Sequence, residues 1–379
     1  MMTSQLEGAV EVDDVESRVR RLLEAHPPAA TDPEDFLLAQ FDAGLAWVAD
    51  PDQRRIVDEH LRRAGAPDPF PLNPMGVGMV GPTILHHGTD RQRDLHLRPL
   101  WAGIDIWCQL FSEPGSGSDL ASLSTRAVRD GAGWVVNGQK VWTSAAERAR
   151  YGLLLARTDP DAPKNKGVTA FILDMAAPGV DVRPLRQMTG DAEFNEVFLH
   201  DVRLEDDALL GPENEGWRVA FTTLMNERAS IGNAFASSGG GPVDVAIQIY
   251  RERHIGDPVR RESVTNLWIE AKIVHLLAAR AGEPGPVGSV LKLFGAEHAR
   301  RAFEAAIDLL GADGMLSSDN GEGSPWTRGP HVAFLRSRAA TIEGGTSEVM
   351  RNVLAERVLG LPREPDAWHG LPWRDVPRS

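Results

Sequence analysis

Cysteine is nearly absent from this 379-residue chain: Cys108 stands alone, so no intrachain disulfide can form and no CxxC or Cys/His metal spacing exists. An excess of basic residues is missing too. Forty Lys and Arg face 54 Asp and Glu, a formal net charge of −14, which speaks against a nucleic-acid binder that clamps phosphates. A local basic pocket would still suffice for an anionic ligand. No apolar run approaches the roughly 20 residues that a membrane-spanning helix requires, Tyr151 to Ala156 being among the longer ones. Met1 to Glu24 lacks the apolar core of a signal peptide. No GxxxxGK[ST] phosphate loop occurs. A soluble protein of a reducing, cytoplasmic compartment is the expectation. Cys108, between Trp107 and Leu110, is either a nucleophile or a small apolar filler, and the filler is the simpler reading.

What is present suits an ordinary globular protein. The chain is long enough for two or three domains, with 42% apolar and 25% charged residues. Helical spacing recurs over Val15 to Glu24, Phe36 to Ala49 and Gln53 to Ala64, and Pro67 to Pro74 reads as a loop. The texture then changes to short β-rich runs: Ser124 to Val128, Gly133 to Val136, Lys140 to Ser144, Tyr151 to Arg157, Gly167 to Leu173 and Phe194 to Leu199. Asp130-Gly131 and Asn137-Gly138 read as tight hairpin turns between them. Strands joined without helices imply an antiparallel sheet or small barrel. Long helices return at Trp217 to Ser237, Asp244 to Arg253, Val259 to Ala281, Val287 to Leu310 and Glu348 to Leu359. Gly282 to Gly285 is a turn between two of them, and Ser317 to Thr327 a Gly/Ser-rich loop.

Several groups are candidates for chemistry. Gly76, Gly78 and Gly81 match GxGxxG, but Pro69, Pro71 and Pro74 precede them, so the strand that a dinucleotide fingerprint needs is excluded. Close helix packing or backbone approach explains these glycines. Ser112-Glu113-Pro114-Gly115-Ser116-Gly117-Ser118-Asp119 follows an apolar strand-like run and could turn amides and hydroxyls toward a ring or phosphate; an ordinary surface turn has the same composition. Trp142, Thr143 and Ser144 combine a flat apolar face with donors, suited to an aromatic cofactor or simply to the core. Glu227 shares a helix face with Ala220, Leu224 and Ile231, so its carboxylate is either a base of raised pKa or half of an ion pair. In Ile342 to Glu348, Thr346 fits a helix N-cap; the same glycine-rich turn could present N–H groups to an anion or oxyanion.

Four segments in order resemble the acyl-CoA dehydrogenase family: WCQLFSEPGSGSD (Trp107 to Asp119), NGQKVWTS (Asn137 to Ser144), LMNERASIG (Leu224 to Gly232) and IEGGTSEVMRNVLAERVLGLPR (Ile342 to Arg363). The resemblance runs from about residue 75 to residue 362, and the wording of the motifs is similar to the actinobacterial branch used for steroid and unusual acyl chains. It implies an α+β fold with an N-terminal helical domain (1–106), a middle β-barrel-like domain (107–212) and a C-terminal four-helix bundle (213–379). It implies FAD, an acyl-CoA substrate, electron-transfer flavoprotein as acceptor, and a homo- or heterotetramer. By carry-over, Phe111, Ser112, Gly117, Ser118, Trp142, Ser144, Thr346 and Glu348 would hold the flavin, with Ser118 and Arg228 also on the substrate. Glu227 would be the base that takes the α-proton, with Glu343 as its rival one residue before Gly344, whose N–H would hold the thioester oxygen.

Two departures from the family pattern qualify this. Asp308 stands where a glutamine reaches a neighbour's flavin, and an aspartate would repel a pyrophosphate. Tyr250 to Arg260 lacks the usual Arg…Phe-Gly pattern. A non-catalytic or half-site partner subunit is therefore the second reading, and a flavin oxidase a third.

Overall fold

The computed structural model describes residues 4–237, 241–278, 280, 286–316 and 325–377, with side chains described from residue 15 onward and not over 228–237. The expected turn at Gly282 to Gly285, most of the Ser317 to Thr327 loop and the side chain of Arg228 lie outside the described residues. The chain folds as two compact units, Met1–Leu185 with Glu193–Thr223 and Trp368–Ser379, and Arg186–Ala192 with Leu224–Ala367.

The first unit starts with helices α1 (Ser4–Ala25), α2 (Pro33–Asp42), α3 (Pro51–Arg63), α4 (Gly81–His87) and α5 (Asp90–Trp101). Local chemistry sets their starts. Asp32 and Asp50 accept from backbone N–H groups at the heads of α2 and α3, each followed by a proline that needs no donor partner. Thr89 and Gln92 form a reciprocal capping box on α5. The expected helix over Phe36 to Ala49 stops at Asp42, because Gly44 and Trp47 adopt left-handed backbone. The three glycines at 76, 78 and 81 lie in a π-helical turn and the start of α4, with no strand before them. A Cβ at Gly81 would sit 2.2 Å from the Trp47 ring, so close packing accounts for that residue.

Seven strands follow: β1 (Trp107–Leu110), β2 (Arg126–Asp130), β3 (Gly133–Ser144), β4 (Tyr151–Arg157), β5 (Val168–Asp174), β6 (Val180–Leu185) and β7 (Phe194–Glu205). Their order is β1-β4-β2-β3-β7-β6, with β5 beside β4. The sheet is mixed rather than antiparallel throughout: β4 runs parallel to β1 and β2. The expected two-residue turn at Asn137-Gly138 is instead part of one continuous β3. Asn137 exchanges hydrogen bonds with left-handed Asp201 opposite (2.9 and 3.0 Å), and Gly138 lets the Thr125 side chain approach to where a Cβ would be, 2.3 Å away. The strand bulges there and continues. Trp134, Phe171, Leu154 and Val197 lie in the core, and so does Cys108, buried 3.7 Å from the Met175 sulfur and with its thiol pushed up by burial.

Helix α6 (Gly216–Ser237) starts in the first unit and enters the second at Leu224, and α7 (Pro242–Glu252), α8 (Pro258–Ala278), α9 (Val287–Leu310), α10 (Pro330–Ala340) and α11 (Ser347–Arg357) follow. Helices α7, α8, α10 and α11 pack on α9. An alanine-rich stripe (Ala296, Ala299, Ala302, Ala306) makes that close packing possible, since small side chains let four neighbours reach one axis. No described helix is long and apolar enough to cross a membrane.

Candidate functional site

The candidate residues form two sets, one in each unit. In the first unit the site begins where β1 ends. Phe111 is buried, Ser112 is half-buried, and the carbonyl of Ser112 accepts from the Val141 N–H of β3 (2.9 Å). This bond sets the SEPGSGSD turn beside the strand that carries Trp142. Within the turn Glu113 and Ser116 exchange backbone hydrogen bonds at 3.0 Å, and the Ser116 hydroxyl donates to the carbonyl of Asp119 (2.9 Å). Gly117 and Ser118 are exposed, and a methyl added at Gly117 would meet nothing within 4 Å. The turn is closed on its inner side and open outward.

Trp142 owes its position to a second bulge in β3. Register passes from Lys140↔Val197 to Thr143↔Asn195, so three steps on β3 span two on β7. The extra residue is absorbed by a left-handed conformation at Trp142 (φ 61°), which a bulky residue adopts only at a cost. The result is a tryptophan 58% exposed in the middle of a strand, its ring edge-on to Phe194 at 6.1 Å. Beside it, Thr143 is buried and its hydroxyl has no hydrogen-bond partner, while Ser144 is half-buried. An open aromatic face, a donor-acceptor without a partner and an outward-facing turn fit the ring of a flavin. This is the observation on which the cofactor assignment rests.

In the second unit Glu227 and Leu224 are both half-buried on α6; Ala220 earlier in the same helix is buried, and the Ile231 side chain lies outside the described residues. Glu343 has another environment. Both of its carboxylate oxygens accept from Arg336 (2.9 and 3.3 Å), a guanidinium that also lies over Trp326. Gly344 and Gly345 then take left-handed backbone (φ 64° and 98°) and turn the chain into α11. Thr346 caps that helix, accepting from the Val349 N–H at 3.2 Å. Glu348 is exposed, and its own N–H with the Thr346 hydroxyl holds its carboxyl below the usual range. Asp308 is exposed near the end of α9.

Among the described residues, several cations with buried side chains escaped the sequence reading, Arg157 (3% exposed) included. Lys140 is fully buried and paired with Glu113 at 2.8 Å. Lys292 is also fully buried and donates to the carbonyl of Gly345, within the glycine turn. Arg328 pairs through two nitrogens with Asp191 (2.7 and 2.8 Å). Lys140 and Glu113 both stand inside quoted motifs, Lys140 as the one basic residue of its motif, which was the available signal.

The geometry can be set beside known proteins. The family model "Acyl-CoA dehydrogenase, middle domain" matches residues 108–202, and "Acyl-CoA dehydrogenase, C-terminal domain" matches residues 214–359. Acyl-CoA dehydrogenase FadE34 of Mycobacterium tuberculosis is 40% identical over 336 residues, covering 86% of this chain and 45% of that protein. The chain thus spans less than half the length of that relative. Acyl-CoA dehydrogenase IpdE1 of the same species is 41% identical over 316 residues, covering 81% of this chain and 79% of that protein. Among solved structures, the Tcur3481-Tcur3483 steroid ACAD is 26% identical with a TM-score of 0.71, covering 95% of this chain and 98% of that one. Matches of this extent, falling on the segments that hold the bulged tryptophan and the glycine turn, place the chain in the acyl-CoA dehydrogenase family.

Proposed function

We propose that this protein is an FAD-dependent dehydrogenase that introduces a double bond between the α and β carbons of an acyl-CoA thioester. The observation that carries the reading is Trp142, held outward on strained backbone beside the turn at Ser112. Phe111, Ser112, Gly117, Ser118, Trp142 and Ser144 would hold the ring and its chain, and Thr346 and Glu348 the dinucleotide end. When bound, the flavin supplies an acceptor for the β-hydride.

The chain's own residues account for the proton. Glu227 would remove the α-proton. Its rival Glu343 is held in an ion pair with Arg336 and would have to give it up to act as the base. The Gly344 N–H, in a turn with two successive left-handed glycines, would hold the thioester oxygen as negative charge develops there. Ser118 and Arg228 would contact the substrate. Electron-transfer flavoprotein as acceptor, a tetrameric assembly, a cytoplasmic location and the three-domain division at 106 and 212 belong to the same proposal. The name of the Tcur3481-Tcur3483 relative makes steroid-derived acyl-CoAs the first class to try.

The test is the visible spectrum of the purified protein, mixed without air with a panel of acyl-CoAs. A yellow protein that bleaches supports the reading. Glu227→Gln should abolish bleaching while Glu343→Gln retains it; the opposite pattern would reject the base assignment. A second reading, a partner subunit that completes another chain's site, is favoured by the exposed Asp308. It predicts a colourless protein that turns yellow and active only when mixed with its partner.

A further inference from the structure

The Phe111–Thr125 segment is held from inside by charge. The Lys140 ammonium, fully buried, donates to the Phe111 carbonyl at 3.0 Å and to a Glu113 oxygen at 2.8 Å. That same oxygen accepts from the Thr125 N–H at 2.9 Å, and the other accepts from the Ser124 N–H at 2.6 Å. Two charged groups thus tie three separate stretches of backbone: the end of β1, strand β3 at the residue two before Trp142, and the segment entering β2. Gly138 adds a fourth contact, since the Thr125 side chain occupies the space where its Cβ would be.

A buried ion pair is an expensive way to fill space, because both charges leave water and an apolar pair of the same volume is often as stable. What such a pair provides is directionality. In the observed arrangement Glu113 receives an ammonium and two amides together, and a loop arrangement that breaks these bonds leaves a buried charge short of partners. Glu113 and Lys140 face each other directly, and the nearby cation is Arg157, whose Nη2 donates to the Ala121 carbonyl at 2.6 Å. Burial raises the Glu113 carboxyl, but the Lys140 charge and the donated hydrogen bonds outweigh it and keep the group below its ordinary value, so it is ionised at neutral pH.

We propose that Glu113 and Lys140 are positioning residues that preorganise the Ser112–Ser118 turn and the Trp142 bulge for the flavin. This deepens the functional reading and rests on it. A preorganised loop spends no binding free energy on ordering, so losing the pair should weaken the flavin more than it weakens the fold.

The variant to make is Lys140→Met with Glu113→Gln, which removes both charges while keeping nearly the same volume. Flavin affinity, followed by fluorescence quenching, should fall roughly tenfold or more, while the melting temperature of the flavin-free protein stays within a few degrees of wild type. Wild-type affinity in a folded double variant overturns the proposal. In a double variant that still folds, a melting temperature that falls in step with affinity does so as well, since the pair would then be only structural. Hydrogen exchange on the wild type needs no variant and decides the matter should the double variant fail to fold. Ser124 and Thr125 amides should be as protected without flavin as with it; amides that exchange freely until flavin arrives overturn preorganisation. Wild type that takes up no flavin in the same titration rejects the functional reading itself, and this inference with it.

Discussion

Trp142 shows how a single residue can be placed against its own preference. A non-glycine residue in left-handed backbone costs about 1–2 kcal/mol, and nothing in the ring's contact with Phe194 demands that conformation. Trp142→Gly therefore relieves backbone strain while deleting an exposed ring. We expect the flavin-free variant to melt within a few degrees of wild type and to bind flavin at least about tenfold more weakly. Parallel melting and flavin titrations check this, and undiminished affinity would remove Trp142 from the site. The motif around Trp142 was legible in the sequence. Its exposure was not, because alternation in a strand assumes regular pleating and the bulge breaks it. Glu113 and Lys140 were equally visible as letters, yet nothing local says that an acid in a turn and a lysine 27 residues later are buried against each other.

At the scale of elements, helix α9 and strand β4 were read with their observed ends, Val287–Leu310 and Tyr151–Arg157. A long alanine- and leucine-rich periodic stretch and a dense β-branched or aliphatic run leave little choice. Helices α4, α5 and α10 were not separated out, and β6 was missed, since Val180–Leu185 includes a proline and two charged residues, Asp181 and Arg183, that read as loop. The C-terminal tail was the least legible element. Trp373 donates from its ring to the Ser122 carbonyl at 3.3 Å, its N–H bonds the Ala162 carbonyl at 2.9 Å, and the Arg157 guanidinium lies 4.8 Å from its ring centre. Removing residues 368–379 takes away this cation–π contact, these hydrogen bonds, the Arg374 N–H bond to the Pro160 carbonyl (3.2 Å) and the exposed ion pair of Arg374 with Asp161. A loss of about 1–2 kcal/mol is expected, read as a lower denaturant midpoint with an otherwise native circular dichroism spectrum. An unchanged midpoint would mean that the tail rests on the surface without holding it.

For the whole molecule, three histidines contribute to the response to acid between pH 6.5 and 4. Burial, with the His86 and Arg218 charges, pushes His87 down to about 4, where its ring bonds the Thr222 hydroxyl at 2.8 Å. Burial lowers His96 and His298 as well, the latter against the opposing pull of Glu270. Each is favoured as the neutral form in the fold, so the unfolded chain takes the proton first. Their stabilisation is whole above about pH 6.5 and is lost as pH falls from there toward 4. Urea melts at pH 7.5, 5.5 and 4.5 should show falling stability, with a shallower fall in His87→Gln; equal stability at 7.5 and 5.5 would contradict the assignment. The sequence by itself determined the family and the order of helices, sheet and helices, because motif wording, periodicity, capping and turn residues act over a few neighbours. Tertiary structure alone decided that Lys140 and Glu113 are buried together, that Glu343 is committed to Arg336, and that Trp373 returns to Ser122 from 251 residues away. Burial and pairing are properties of residues brought together in space, and separation along the chain carries almost no information about them.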